Sequence, residues 1–156
     1  MSIVYTIIAS LLVFGVIIFL HELGHFVTAK LCGIQVNEFA MGMGPKLFSF
    51  VKGSTRYALR LLPIGGFVSM EGEDGEEVDQ ELYPDIPPDA PRGKSFQQVS
   101  VGKRMIVIAA GAAMNLILGF GLLLILVNMQ SAITSRTISG FRGDEMSRQT
   151  GLQVGD

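Results

Sequence analysis

Charged side chains are scarce in this chain of 156 residues, and two long stretches contain none. Only 17% of the residues are Asp, Glu, Lys or Arg, whereas 49% are hydrophobic. Residues 3–20 and 105–127 carry no charge and lack the polar stripe that a core helix of a soluble protein normally shows. Apolar runs of roughly 18 residues or more are typical of membrane-spanning helices, and the second run would be about 35 Å long. The sequence therefore predicts two transmembrane helices.

Three further absences narrow the class of protein. Cys32 is the only cysteine, so the chain cannot form an internal disulfide. The net charge is −2, with no excess of basic residues, so we expect no nucleic-acid partner. The first apolar run lacks a basic leader and a small-x-small cleavage site. These are marks of a cleaved signal peptide, so we interpret the run as a retained helix.

The distribution of Lys and Arg predicts how the two helices are oriented. None precedes the first apolar run, nine lie between the runs, and three follow the second. Lys30, Lys103 and Arg104 directly flank the runs, where the positive-inside rule applies best. The rule places residues 31–102 in the cytoplasm and both termini outside. Residues 71–89 hold nine Asp or Glu, no basic residue and three prolines, which predicts a solvated, mobile loop.

Short apolar segments between the two runs predict a small sheet. Four segments are typical of strands: 36–41, 46–51, 56–62 and 66–70. Gly42, Gly44 and Pro45 separate the first pair, and Pro63 with the following glycines separates the last pair. These strands are apolar on much of both faces, so the sheet either forms a core or dips into the membrane. An unpaired edge cannot face lipid and would have to pack on a helix or line a wet cavity.

The only two histidines of the chain form a motif with metal-ligand spacing at the end of the first run. His21 and His25 are four residues apart, so both imidazoles lie on one face of a helix and can bind one zinc ion. Glu22 lies beside that face, where it can take a proton from metal-bound water, as in zinc peptidases with this motif. The alternative is a solvated helix end with two ordinary histidines.

The second apolar run contains a polar residue, Asn115, which lies between two glycines on one face of the predicted helix. Gly111, Asn115 and Gly119 are spaced by four, which places them on one helical face. Small residues allow close helix approach, and helix packing alone could explain the two glycines. Asn115 is the more informative residue, because it could hold a substrate backbone or orient the site.

With these motifs in order, the chain resembles the site-2 protease family of bacterial intramembrane zinc metalloproteases. The resemblance rests on residues 19–26, 39–47, 62–73 and 103–115. It implies that His21 and His25 bind Zn²⁺, that Glu22 is the catalytic base, and that a substrate contacts three further residues, Asn115, Gly65 and Gly66. It also implies that the β-region captures an unwound substrate helix by strand addition.

The resemblance implies an α-helical membrane protein with a small inserted β-sheet. Its expected parts are a first transmembrane helix (1–30), a membrane-associated β-hairpin region (31–72), an acidic and Pro-rich cytoplasmic loop (73–102), a second transmembrane helix (103–130) and the start of a truncated extracytoplasmic PDZ domain (131–156). The expected location is the bacterial inner (cytoplasmic) membrane. The expected substrates are single-span membrane proteins, for example an anti-sigma factor.

The sequence departs from the family in one respect that bears on activity. The third zinc ligand of the family is an Asp in a Leu-Asp-Gly motif, which this chain lacks. Asp144 and Asp156 fall in the tail, on the opposite side of the membrane from the histidines. We therefore expect an N-terminal fragment of an intramembrane endopeptidase that is inactive alone. The alternatives are a membrane binding or scaffold protein and, less favoured, a metal carrier.

Overall fold

Two long helices flank a β-hairpin in the computed structural model, which describes residues 3–73, 75 and 82–129. The elements are α1 (Ile3–Cys32), β1 (Val36–Lys52), β2 (Thr55–Met70), a 3₁₀ turn (Phe96–Gln98) and α2 (Val101–Met129). The chain forms two compact units, Met1–Phe120 and Gly121–Asp156. The first unit holds the hairpin and the candidate site. In the second, the structure describes only the end of α2. The predicted start of a PDZ domain lies outside the described residues.

Both helices have the length and composition of membrane spans. The most apolar window has a mean hydropathy of 2.8 in α1 and 2.3 in α2. None of that window is buried in α1 and 11% is buried in α2, whereas the core helix of a soluble protein is mostly buried. Large apolar side chains therefore cover the outer surfaces of both helices, as expected of helices that face lipid.

The hairpin has two long bent strands where the sequence predicts four short ones. β1 and β2 pair antiparallel, and each covers two of the predicted segments. Gly42, Gly44 and Gly65 have φ angles of 84°, 85° and 84°, in the left-handed region that glycine adopts without strain. These residues bend the strands, but backbone pairing resumes after each bend, so the predicted strand breaks are bends within strands.

The bends place the first part of β1 between two parts of β2. Met41 pairs with Leu59 on one side and with Gly66 on the other, and Phe39 pairs with Tyr57 and Val68 in the same way. Residues 66–69 have no second strand partner in the described part of the chain. They form a free sheet edge, which we call the 66–69 edge.

A compact apolar cluster joins the base of the hairpin to the ends of both helices. It contains Ala29, Ile34, Val36, Phe39, Val68, Met70, Phe96, Val99 and Val107. Phe39 lies 5.0 Å from Phe26 and 6.3 Å from Tyr57, centroid to centroid. Burying an aromatic ring of this size contributes about 2 kcal/mol, so these contacts fix the sheet against α1. Burial raises the pKa of the Tyr57 hydroxyl, which stays neutral at physiological pH.

Part of the predicted solvated loop packs on the sheet. Arg56 is only 2% exposed, and its guanidinium lies 2.9 Å from the Asp85 carboxylate and 4.9 Å from the centre of the Tyr83 ring. The Tyr83 hydroxyl in turn donates to Ser69 Oγ at 3.1 Å. The Tyr83 and Asp85 side chains therefore contact the sheet and Ile86 is buried, although Leu82, Pro84 and Asp85 are exposed as expected of a solvated loop. A buried Arg requires polar partners, and these residues supply some of them.

Candidate metal centre

The two histidines converge on one point, where α1 meets α2. The Nε2 atoms of His21 and His25 lie 3.2 Å apart. Two nitrogen ligands at zinc-binding distance from a tetrahedral ion would lie about 3.3 Å apart. One ion could therefore bind both imidazoles with little movement of either ring.

The backbone of α2 fixes the orientation of His25. Its Nδ1 lies 2.7 Å from the carbonyl oxygen of Val107. A carbonyl can only accept a hydrogen bond, so Nδ1 carries the proton and a neutral ring keeps its lone pair on Nε2. Hydrogen bonds of this kind orient metal-binding histidines in many proteins.

Two glycines allow the helices to approach at this point. A Cβ at Gly24 would lie 2.6 Å from the carbonyl oxygen of Ala110. A Cβ at Gly111 would lie 2.6 Å from His21 Nε2 and would also collide with His25 Nε2. A side chain at position 111 would therefore occupy the space that an ion shared by the two rings needs. Gly119, the third member of the predicted stripe, has open space in front of it.

The side chain of Glu22 lies beside Gly66 of the sheet. A Cβ at Gly66 would lie 3.2 Å from Glu22 Cγ and 3.0 Å from the carbonyl oxygen of Ala40. Glu22 and His25 line a cavity of about 280 Å³ together with Gly66, Phe67, Val68, Met70, Glu73, Val107 and Ile108. The motif carboxylate, one of the motif imidazoles and the 66–69 edge therefore border one open space.

The structure brings most of the predicted site residues together. Asn115 Nδ2 lies 3.3 Å from His21 Nδ1, which places Asn115 behind the first histidine. Gly65 is the exception, because its Cβ position faces the Met43 side chain, with Sδ at 3.4 Å, and it does not line the cavity. Sequence reasoning missed the Val107 carbonyl, which no sequence signal marks because every residue has a carbonyl group.

A third protein ligand is not found among the described residues, where no group of three His, Cys, Asp or Glu is arranged to hold a metal ion. Zinc sites in proteins normally use three or four protein ligands. The two imidazoles fit one ion in spacing and His25 fits it in orientation, but they form only part of a coordination sphere.

A histidine pair with an adjacent carboxylate on one helix is the arrangement of a zinc metallopeptidase. The family comparison agrees with this class. The chain belongs to peptidase family M50, whose model matches residues 9–152.

Two of the relatives are similar over nearly all of the chain, and a third is similar over about half of it. A protein from Clostridium acetobutylicum is 38% identical over 152 residues, covering 97% of this chain and 41% of its own length. Zinc metalloprotease RasP of Bacillus licheniformis is 32% identical over 220 residues, covering 97% of this chain and 52% of its own length. Regulator of sigma-W protease RasP of Bacillus subtilis is 54% identical over 76 residues, covering 49% of this chain and 18% of its own. The chain thus spans about half or less of the length of these relatives.

Proposed function

We propose that this chain provides the zinc-binding part of an intramembrane endopeptidase. The observation that carries the proposal is the 3.2 Å separation of the two Nε2 atoms on an apolar helix, beside a cavity that Glu22 and the 66–69 edge share. Membership of peptidase family M50 and the zinc metalloprotease RasP relative support the same chemistry.

In this proposal the residues of the motif divide the work. His21 and His25 would hold Zn²⁺ through Nε2, together with a ligand from outside the described residues. The bound ion would supply Lewis acidity and lower the pKa of a bound water to about 7. Glu22 would accept the proton of that water and then deliver a proton to the leaving amine.

We further propose that a substrate binds along the 66–69 edge. Those residues have backbone groups without a strand partner in the described part of the chain, and an extended peptide could add there as a further strand. Gly66 has no side chain to block the cavity, so an added backbone could approach Glu22 closely. A substrate helix would have to unwind to bind in this way. The name of the Bacillus subtilis relative, "Regulator of sigma-W protease RasP", suggests a single-span anti-sigma factor as one such substrate.

We also propose an orientation in the bacterial cytoplasmic membrane, with residues 31–102 in the cytoplasm and both termini outside. Lys103 Nζ donates to the carbonyl oxygen of Cys32 at 3.1 Å, so the end of α1 and the start of α2 lie together. The basic flanks Lys30, Lys103 and Arg104 are therefore on one side, which the positive-inside rule assigns to the cytoplasm. A PDZ domain beginning at about residue 131 remains part of the proposal.

The proposal is tested by replacing the carboxylate while keeping its shape. In the full-length protein that contains this chain, Glu22→Gln should abolish cleavage of a single-span reporter, because an amide cannot accept the proton from water. Asp89→Asn, an exposed carboxylate of the loop, should leave cleavage unchanged. Cleavage by the Glu22→Gln protein at the wild-type rate would refute the assignment.

The incomplete ligand set keeps one alternative open, a catalytically inactive membrane binding or scaffold protein. The same cleavage assay distinguishes this alternative from the protease hypothesis. A wild-type protein that cleaves no single-span substrate, yet still binds one in detergent, would favour the scaffold.

A further inference from the structure

Asn115 has an unusual hydrogen-bond environment behind the metal-binding face of His21. Its Nδ2 lies 3.3 Å from His21 Nδ1. Its Oδ1 is buried and has no hydrogen-bond partner in the described part of the chain. A buried amide oxygen without a partner costs about 1–3 kcal/mol, so this position calls for an explanation.

The orientation of this amide decides which nitrogen of His21 can bind an ion. With Nδ2 toward the ring, the amide donates to an unprotonated Nδ1, so the proton of a neutral imidazole is on Nε2. In that state His21 Nε2–H can donate to His25 Nε2 across the 3.2 Å gap, and His21 cannot bind a metal through Nε2.

Rotation of the amide by 180° exchanges its oxygen and nitrogen and reverses this arrangement. Oδ1 then accepts a hydrogen bond from His21 Nδ1–H and gains a partner, while Nδ2 gives up its bond to His21 and takes the place that Oδ1 left. The lone pairs of both Nε2 atoms then face the shared space in front of Gly111, because the Val107 carbonyl already holds His25 in the matching tautomer. Both imidazoles can bind one ion only in this arrangement.

We propose that Asn115 is a positioning residue for the metal centre, whose amide oxygen holds His21 in the tautomer that binds Zn²⁺ through Nε2. This inference rests on the proposed metal site. It favours an orienting role for Asn115 over direct contact with a substrate. It also explains why a hydrogen-bonding residue stands in the middle of an apolar helix at this level.

The inference is tested by zinc titration of the purified chain in detergent against a chromophoric chelator. Asn115→Leu removes the acceptor at similar size and should weaken zinc binding by about 10- to 100-fold. Asn115→Asp keeps an oxygen at that place and should bind zinc as tightly as the wild type or more tightly. Asn128→Leu, which removes an exposed amide near the other end of α2, is the matched control and should change nothing.

The outcomes separate this inference from the metal site itself. Equal zinc affinity of the Leu and wild-type proteins would overturn it, as would an Asp variant as weak as the Leu variant, because size and not the acceptor would then matter. Asn115→Ala gives the same readout if far-UV circular dichroism shows that the Leu variant is misfolded. A wild-type chain whose zinc binding is unaffected by His21→Ala would instead overturn the metal site, and this inference with it.

Discussion

At the scale of single residues, the proposed metal centre depends on space and on proton placement. The Val107 carbonyl directs one imidazole, and the absence of a side chain at Gly111 leaves room in front of both. Neither feature adds a ligand. Together they determine whether the two rings can share an ion.

Gly111→Ala should therefore weaken zinc binding although it removes no ligand. The added methyl group would occupy the space between the rings, and overpacking of this kind costs about 1–3 kcal/mol, which corresponds to a loss in affinity of roughly 5- to 150-fold. Gly119→Ala, on the same face of α2 but with open space before it, should bind zinc like the wild type. A titration in which both variants match the wild type would contradict the geometry given for the site.

Sequence reasoning predicts the histidine pair because residues four apart share a helical face. It does not predict the hydrogen bond from His25 to Val107, since that contact depends on how α1 and α2 cross. Gly65 and Gly66 are another case in which the sequence does not predict which residue lines the site. They are adjacent in sequence, but the bend at Gly65 turns it toward Met43, while Gly66 lines the cavity.

At the scale of elements, the hairpin is held at its base by a buried ionic cluster. The Glu38 side chain is 4% exposed and lies 2.8 Å from Arg60 and 3.7 Å from Arg56, which is itself buried. The cluster connects the first part of β1 to the first part of β2. It therefore helps to hold the bent strands, and so the 66–69 edge, beside Glu22.

Glu38→Ala should destabilise the hairpin markedly. The change removes the buried ionic partner of the Arg56 guanidinium, for which the described residues still offer the half-exposed Asp85, and breaking a buried pair costs about 3 kcal/mol. Thermal unfolding of the purified chain in detergent would report the loss as a lower Tm. Asp89→Ala removes an exposed carboxylate and should leave Tm nearly unchanged. Equal Tm values for the two variants would show that the cluster does not hold the hairpin.

At this scale, local sequence patterns predict part of the structure of the sheet. Apolar segments and turn residues correctly predict extended structure between the helices. They do not distinguish a glycine that ends a strand from one that bends it, because both need a positive φ. The double pairing of residues such as Phe39 and Met41 with two parts of β2 reveals the bent strands.

At the scale of the whole molecule, the two helices were the feature most readily predicted from sequence. A long uncharged apolar run leaves few alternatives, and the order of helix, hairpin and helix follows from it. No group of three possible metal ligands occurs among the described residues, and local sequence patterns cannot identify a ligand that lies far from the histidines along a chain. Such a residue comes close to the histidines only when the chain folds.

The proposed orientation makes the single cysteine a useful probe. Cys32 ends α1 beside the basic flank Lys103, so a membrane-impermeant maleimide should label it in inside-out vesicles and not in intact spheroplasts. A Ser2→Cys substitution in a Cys32→Ser background should show the opposite pattern. Labelling of Cys32 from outside intact spheroplasts would reverse the assigned sides.

The most direct test of the central claim is the zinc stoichiometry of the purified chain. Equilibrium dialysis should show about one Zn²⁺ per wild-type chain at saturation, and both His21→Ala and His25→Ala should lower the affinity strongly, because each removes one of the ligands at the 3.2 Å pair. If either variant binds zinc as well as the wild type does, the two imidazoles do not share an ion.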